Sequence, residues 1–431
     1  MPSTLVSAPR VSARRSFRAA LSGHAIEWYE FGVYGVVAAY VASAMFPSDD
    51  PALSLLSTWA TYSAAFFVRP LGGVVIGRIG DQFGRRRALF ITVSIMSAAT
   101  FGLGVLPGYE ILGLFAPVAF AALRLAQGFA VGAEMPSAMS YITETSPRAR
   151  HPVLASGLAA ATFSASLMGS VLATALALLL GPEAMAAWGW RLLFIAALPL
   201  GLMALVLRRG AYQDAPDVAT REPQLEPRIT PRSPLAVTLR TQRAPMLRYL
   251  AIASVYCVGL SVMFGGYSTE LLVRGMTSES VLVATTFTYA VLIASILTFG
   301  MLVKRLGTRC TLIMGTSGLG LAVVPAYALA AEGTMSLVLL GGAILATPTG
   351  VLATPVYLAL ADMFPRSVRV TAGAIAFNAA TALSSLAPVL ALGMRSVLGF
   401  DGGAALITVI IATASLLVVA VSPSRAFDRH A

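Results

Sequence analysis

Charge is scarce in this sequence: only 11% of its 431 residues are Asp, Glu, Lys or Arg, against 57% hydrophobic, and the mean hydropathy is +0.80. A soluble domain carries roughly twice that share of charge, so the chain is an integral membrane protein. Cysteine and histidine are scarcer still. Cys257 and Cys310 both sit in apolar runs, and histidine occurs at positions 24, 151 and 430 alone. A disulfide framework and a clustered metal site are excluded, and with them redox and zinc chemistry. No phosphate-binding loop ending in Gly-Lys-Ser/Thr is present, nor an extramembrane stretch large enough to hydrolyse a nucleotide, so a primary pump is not expected, and no enzyme activity is expected either.

What the chain has in abundance is long apolar runs. Windows of about 20 residues, the length that crosses a ~30 Å hydrocarbon core, recur near 19–46, 53–79, 88–106, 112–143, 153–180, 187–207, 247–270, 280–303, 310–331, 335–361, 370–398 and 402–421. The alternating pattern of a barrel is missing, so twelve transmembrane helices are expected, in an all-α membrane protein. Residues 19–46, with Glu27 and Glu30 inside, are too long and polar for a signal-peptide core and read as an uncleaved first helix.

The net charge of +11 follows from topology. With both termini cytoplasmic, 25 of the 30 Lys and Arg residues fall on the inner side, while Asp49, Asp50, Glu110, Glu183 and Glu332 fall outside. The basic excess therefore marks the inner membrane face, and no nucleic-acid partner is expected. The expected partners are the lipid bilayer, a small-molecule substrate and H+.

One long hydrophilic interruption, rich in Pro and Arg, separates six spans from six. The expected organisation is a cytoplasmic segment 1–18, a six-helix bundle 19–207, a linker 208–246, a second bundle 247–421 and a tail 422–431. The halves echo each other. Gly77-Arg-Ile-Gly-Asp81-Gln-Phe-Gly84-Arg85-Arg86 has a degraded counterpart beginning at Gly300, and Glu144-Thr-Ser-Pro147-Arg148 is mirrored by Asp362-Met-Phe-Pro365-Arg366. Two nearly equal offsets indicate a duplicated six-helix unit, which is how one class of secondary transporters is built, with the solute site at mid-membrane between pseudo-symmetric halves.

Three blocks resemble the major facilitator superfamily, and within it the metabolite:proton symporters: GHAIEWYEFGVYG at 23–35, RPLGGVVIGRIGDQFGRRRAL at 69–89 and RLAQGFAVGAEMPSAMSYITETSPRAR at 124–150. WGWRLLF at 188–194 and FPRSVRVTAGAIAFN at 364–378 extend the likeness. Proline and betaine transporters resemble the first half most, dicarboxylate and tricarboxylate permeases next. The chain departs from the pattern at His24, Glu30, Ala133 and Lys304. The resemblance implies symport of a small metabolite, inward, by alternating access in the bacterial inner membrane. It implies a proton gradient as the energy source with no cofactor, and function as a monomer. The rival reading is a proton-coupled exporter of drugs or secondary metabolites; span five has Gly157, Gly169 and Gly181-Pro182 but lacks the glycine-rich arrangement of such antiporters.

A charge at mid-bilayer costs about 2.5 to 3.5 kcal/mol on insertion scales and so marks a cavity or a partner. Glu27, Glu30, Arg69, Arg124 and Glu134 are such charges. At 100° per residue Glu27, Glu30 and Tyr34 share a face of span one opposite Val33, Val36 and Val37, which are expected to meet lipid. An acid on span one opposite Arg124 is a coupling device: an anionic solute that competes for the arginine raises the pKa of the carboxylate and loads a proton. Glu27, Glu30 and Arg124 are thus the expected proton-coupling residues, and Arg124, Gln127, Tyr34, Tyr256 and Asn378 the expected solute-binding ones. The inner gate is expected at Arg69, Gly77, Asp81, Gly84, Arg85, Arg86 and Glu134, with Glu144, Arg150, Asp362 and Arg369 as partners from other inner helix ends.

Overall fold

The computed structural model describes residues 28–29, 32–83, 85–132, 134–203, 206, 238, 240–366, 368–399 and 401–422. Among them the chain is helical throughout, with no strand. Seven of these helices are long and apolar enough to cross a membrane. The one over Ser278–Ala331 is two spans joined at Gly307, whose φ of 79° interrupts the helix. Large apolar side chains such as Leu71, Leu179, Val397 and Val421 stand on the outside, as a bundle in lipid requires.

Most of span one is buried within the first half. Tyr29, Val33, Tyr34, Val37 and Val41 share a cluster with Phe120, Trp190 and Phe194. The expectation that Val33 and Val37 meet lipid is corrected, because both are fully buried. Span one packs against several neighbours at once, and Val33 lies against Gly169 of span five, so no broad stripe of it is left for the bilayer. Spans two and three are Pro51–Phe83 and Arg85–Val105, and span five is His151–Ala184, turned at Gly181. Span six starts at Arg191, whose guanidinium donates to the carbonyls of Gly104 and Leu106 and so caps the end of span three.

Span four is broken. Its first helix is Phe115–Ala130 and its second Glu134–Thr145. Pro136 supplies the reason: it has no N–H to give to the carbonyl four residues back, that of Gly132, and its ring crowds that carbonyl. Gly128 and Gly132 weaken the helix further and bring span two in to backbone contact. A Cβ on Gly72 would lie 1.7 Å from the carbonyl oxygen of Phe129, and one on Gly128 2.0 Å from that of Ala65.

In the second half, span seven runs as Arg243–Ser261, a π-helical stretch Val262–Tyr267, and Ser268–Val273. It begins four residues before the apolar window, so the end of the expected linker is helical; residues 208–237 of that linker lie outside the described residues. Spans ten to twelve are Met335–Met363, Arg369–Leu398 and Gly403–Val421. The face where span two ends and spans seven and eleven begin is called the linker face, and the opposite one the far face.

The halves meet at both faces. Toward the far face Trp59 Nε1 donates to Thr269 Oγ1 at 2.8 Å, Ser63 Oγ to the Ser385 carbonyl at 2.7 Å, and Ser170 and Thr174 of span five reach Thr286 of span eight. Toward the linker face Asn378 Nδ2 donates to the Gly132 carbonyl at 2.5 Å and Arg369 Nη1 to Thr143 Oγ1 at 3.1 Å. The halves are thus in contact toward both faces.

Candidate functional site

The interior of the first half is organised by one stripe of span two. Trp59, Tyr62, Phe66 and Arg69 follow at steps of three, four and three, which places them on one helix face. Their rings form a continuous series: Trp59 meets Tyr62 edge-on at 5.4 Å between centroids, and Tyr62 meets Phe66 at 5.0 Å. Tyr34 of span one stacks on Tyr62 at 5.4 Å. Two buried guanidiniums lie on this aromatic surface. That of Arg124 sits 4.1 Å from the Tyr34 ring centroid and 5.2 Å from that of Tyr62, and that of Arg69 sits 4.1 Å from Phe66 and 5.9 Å from Trp28. An aromatic face attracts a desolvated cation by about 2 kcal/mol or more, which offsets part of the burial cost.

Arg124 is fully buried and its direction is fixed. Its Nη1 donates to Gln127 Oε1 at 2.6 Å, and Gln127 Nε2 donates to Thr100 Oγ1 of span three at 2.6 Å. Both ends of the Gln127 amide are therefore occupied in orienting Arg124. Tyr34 spends its hydroxyl on the Thr58 carbonyl at 2.7 Å, so what it offers the site is its ring.

The second half faces this cation with rings. Phe264, in the π-helical stretch of span seven, stacks on Tyr289 of span eight at 3.8 Å, and Phe163 of span five meets Phe264 at 6.4 Å. The Tyr289 hydroxyl lies within electrostatic range of Tyr62. Counting 1.5 Å per residue from the far ends of their helices puts Tyr34, Tyr62, Arg124, Phe264 and Tyr289 all about 14 to 17 Å deep. That is the middle of a ~30 Å core.

The other expected residues fall elsewhere. Tyr256 is buried within the second half, edge-on to Tyr357 at 6.2 Å. Asn378 ties span eleven to the break in span four. Arg69 is 2% exposed, so it does not reach up to water at the membrane surface. Arg369 lies at the linker face within electrostatic range of Glu144 and Asp362, while Glu144 also accepts from Ser140 of its own helix and Arg150 is exposed. Glu27, Glu30 and Gly84 lie outside the described residues, as do the side chains of Asp81, Arg85, Arg86 and Glu134 and the surroundings of Gly77.

Sequence reading missed a charged network at the far face. Glu270 binds Arg274 at 2.5 Å and Arg395 at 3.0 Å, and Arg395 binds Asp401 at 3.2 Å. The Glu270 to Arg274 spacing of four residues at a helix end was a usable signal. Arg395 and Asp401 come from the end of span eleven and the loop after it, and nothing local pairs them with Glu270.

The sequence matches the profile of the Major Facilitator Superfamily over residues 23–388. This chain belongs to that family. It is 32% identical over 394 residues to the glycine betaine/proline/ectoine/pipecolic acid transporter OusA of Dickeya dadantii (strain 3937), covering 88% of this chain and 77% of that protein. The proline/betaine transporter of Escherichia coli (strain K12) is 32% identical over 398 residues, with the same coverage. Among solved structures, a crystal structure of the D-xylose-proton symporter superposes with a TM-score of 0.73 at 18% identity, covering 96% of this chain and 98% of that one. The xylose transporter XylE from E. coli in a partially occluded inward-open conformation gives 0.72 at 16% identity, covering 94% and 96%. The chain is thus a multi-pass membrane protein with the twelve-helix major facilitator fold, a secondary transporter and not an enzyme.

Proposed function

We propose that this chain is a proton-coupled symporter that imports a small zwitterion carrying both a carboxylate and an ammonium group, of the proline or betaine kind. The observation that carries this reading is Arg124: a guanidinium fully buried at mid-depth, aimed by Gln127 and backed by the rings of Tyr34 and Tyr62. A fixed guanidinium offers two parallel N–H donors to a carboxylate, and low polarity around it strengthens the bond. The solutes for which the two relatives are named, proline and betaine among them, are zwitterions with one carboxylate.

Proton coupling falls to Glu27 and Glu30 of span one. A carboxylate near Arg124 stays ionised while the arginine is unoccupied; when the solute carboxylate takes the arginine, the acid loses that stabilisation and binds a proton. Solute and proton then cross together, and the gradient pulls both inward. The linker face is cytoplasmic in this reading, in agreement with the excess of Lys and Arg there. The protein works as a monomer in the bacterial inner membrane, without a cofactor. Its inner gate uses Asp81, Arg85 and Arg86 against Glu144, Asp362 and Arg369.

Uptake into proteoliposomes with an imposed pH gradient tests the coupling. Accumulation of labelled proline or betaine that collapses with the gradient, is abolished in Glu27→Gln or Glu30→Gln, and leaves solute exchange intact in the same variant supports it. Gradient-driven accumulation that persists with Gln at both positions refutes the assignment.

A further inference from the structure

From the rings that the two halves bring together at the depth of Arg124, we infer that the ammonium end of the solute is bound by an aromatic cage made of Tyr62 from the first half and Phe264 and Tyr289 from the second. This deepens the zwitterion reading above and rests on it. Phe264 and Tyr289 stack on one another at 3.8 Å, Tyr62 is within electrostatic range of Tyr289, and Trp59 flanks Tyr62 at 5.4 Å. Phe264 is presented by a π-helical stretch, a local widening of the helix that displaces side chains from their regular angular positions and recurs at functional sites. Trp59 spends its indole N–H on Thr269, so that ring borders the cage and latches the halves.

The chemistry is complementary along the solute. The negative faces of aromatic rings attract a cation whose charge is spread over methyl or methylene groups, and a quaternary ammonium such as that of betaine has no N–H that a buried site must satisfy. A carboxylate on Arg124 puts the ammonium of a betaine a few ångströms away, at the depth where these rings lie. Because Tyr62 belongs to one half and Phe264 and Tyr289 to the other, the cage is complete only while the halves are closed on each other. Ammonium recognition is thereby tied to occlusion. A dicarboxylate gains nothing from these rings, so the cage also selects against the organic acids that related permeases carry.

The test compares glycine betaine with 3,3-dimethylbutyrate, the same shape and carboxylate with a neutral carbon in place of nitrogen. Equilibrium binding of both to the purified full-length protein in nanodiscs gives a preference ratio. The wild type should prefer betaine by about tenfold or more, and Phe264→Leu and Tyr289→Leu should each cut that ratio several-fold, weakening betaine more than 3,3-dimethylbutyrate. Tyr62→Phe should retain the ratio and Tyr62→Leu lose it; the ratio remains readable even where loss of the Arg124 stacking weakens both ligands. Equal binding of the two compounds by the wild type, or a preference that survives all three leucine variants, would overturn the cage and leave the carboxylate site standing. Binding of neither compound to folded protein would sink the zwitterion reading itself.

Discussion

Spans four and ten are the same element in two copies, and the structure has treated them differently. At the offset that aligns Glu144 with Asp362, the break after Ala130 of span four corresponds to the stretch after Pro348 of span ten, yet Met335–Met363 is one continuous helix there. The same offset sets Arg124 against Gly342. Arg124 lies on two aromatic rings, whereas Gly342 serves close packing, since a Cβ there would meet Thr288 Oγ1 at 2.5 Å. Duplication supplied the scaffold, and divergence placed the buried cation and the broken helix in the first copy.

The two copies also pack by different means, which sets the largest expected effect. Gly72 and Gly128 face backbone atoms, and backbone cannot step aside; Gly342 faces the side chain of Thr288, with its Oγ1 at 2.5 Å. Gly72→Ala and Gly128→Ala should each cost about 3 kcal/mol or more, by overpacking without relief, and should lower the yield and melting temperature of purified protein sharply. Gly342→Ala should cost less, because rotation about the Thr288 Cα–Cβ bond moves Oγ1 away. Equal losses at all three positions would erase the distinction.

The next effect concerns the break. Asn378 supplies the bond that Pro136 denies to the Gly132 carbonyl. Asn378→Leu leaves a buried carbonyl without that donor, a cost of about 1 to 3 kcal/mol. Backbone hydrogen exchange around 131–135 should accelerate by about tenfold or more while 349–353 is unchanged, and turnover should fall. Identical exchange in variant and wild type would mean that the break is held by something else.

A smaller effect is expected at the far face. Trp59→Phe removes the indole donor to Thr269 and keeps the ring, costing about 1 kcal/mol. The halves should part there more often, seen as several-fold faster exchange at residues 268–273 with no change at 369–378. Smallest of all is Arg274→Ala. Arg274 is 31% exposed and Glu270 keeps Arg395 as a partner, so the loss should stay under about 1 kcal/mol, within 2 °C in the melting temperature of a protein this size. A larger drop would make the far-face network a structural keystone.

Span count, the six-and-six division and Arg124 as a buried cation were legible before any coordinates, because each depends on a local property: run length, charge at mid-run, a repeated loop. The stripe of Trp59, Tyr62, Phe66 and Arg69 was missed, although its helical spacing is a local signal. What could not be read is which partner a group takes from a distant span. Gln127 looks like a solute ligand until Thr100 of span three claims its amide. Asn378 has the same look until Gly132, 246 residues away, receives its proton. Val33 and Val37 carry no mark that distinguishes lipid from protein as their neighbour, since both are apolar. The break in span four was missed, because hydropathy averages across Pro136.

The central claim is that Arg124 anchors the carboxylate of the solute, and a charge-conserving substitution tests it most directly. Lysine keeps the positive charge and loses the planar two-pronged donor and the stacking on Tyr34 and Tyr62. Equilibrium binding of proline and glycine betaine should be measured on the wild type and Arg124→Lys in nanodiscs, beside the melting temperature of each. The account predicts an affinity loss of about 100-fold or more in a protein that melts within a few degrees of the wild type. Binding within about twofold of the wild type would contradict it, and would place the carboxylate elsewhere in the bundle.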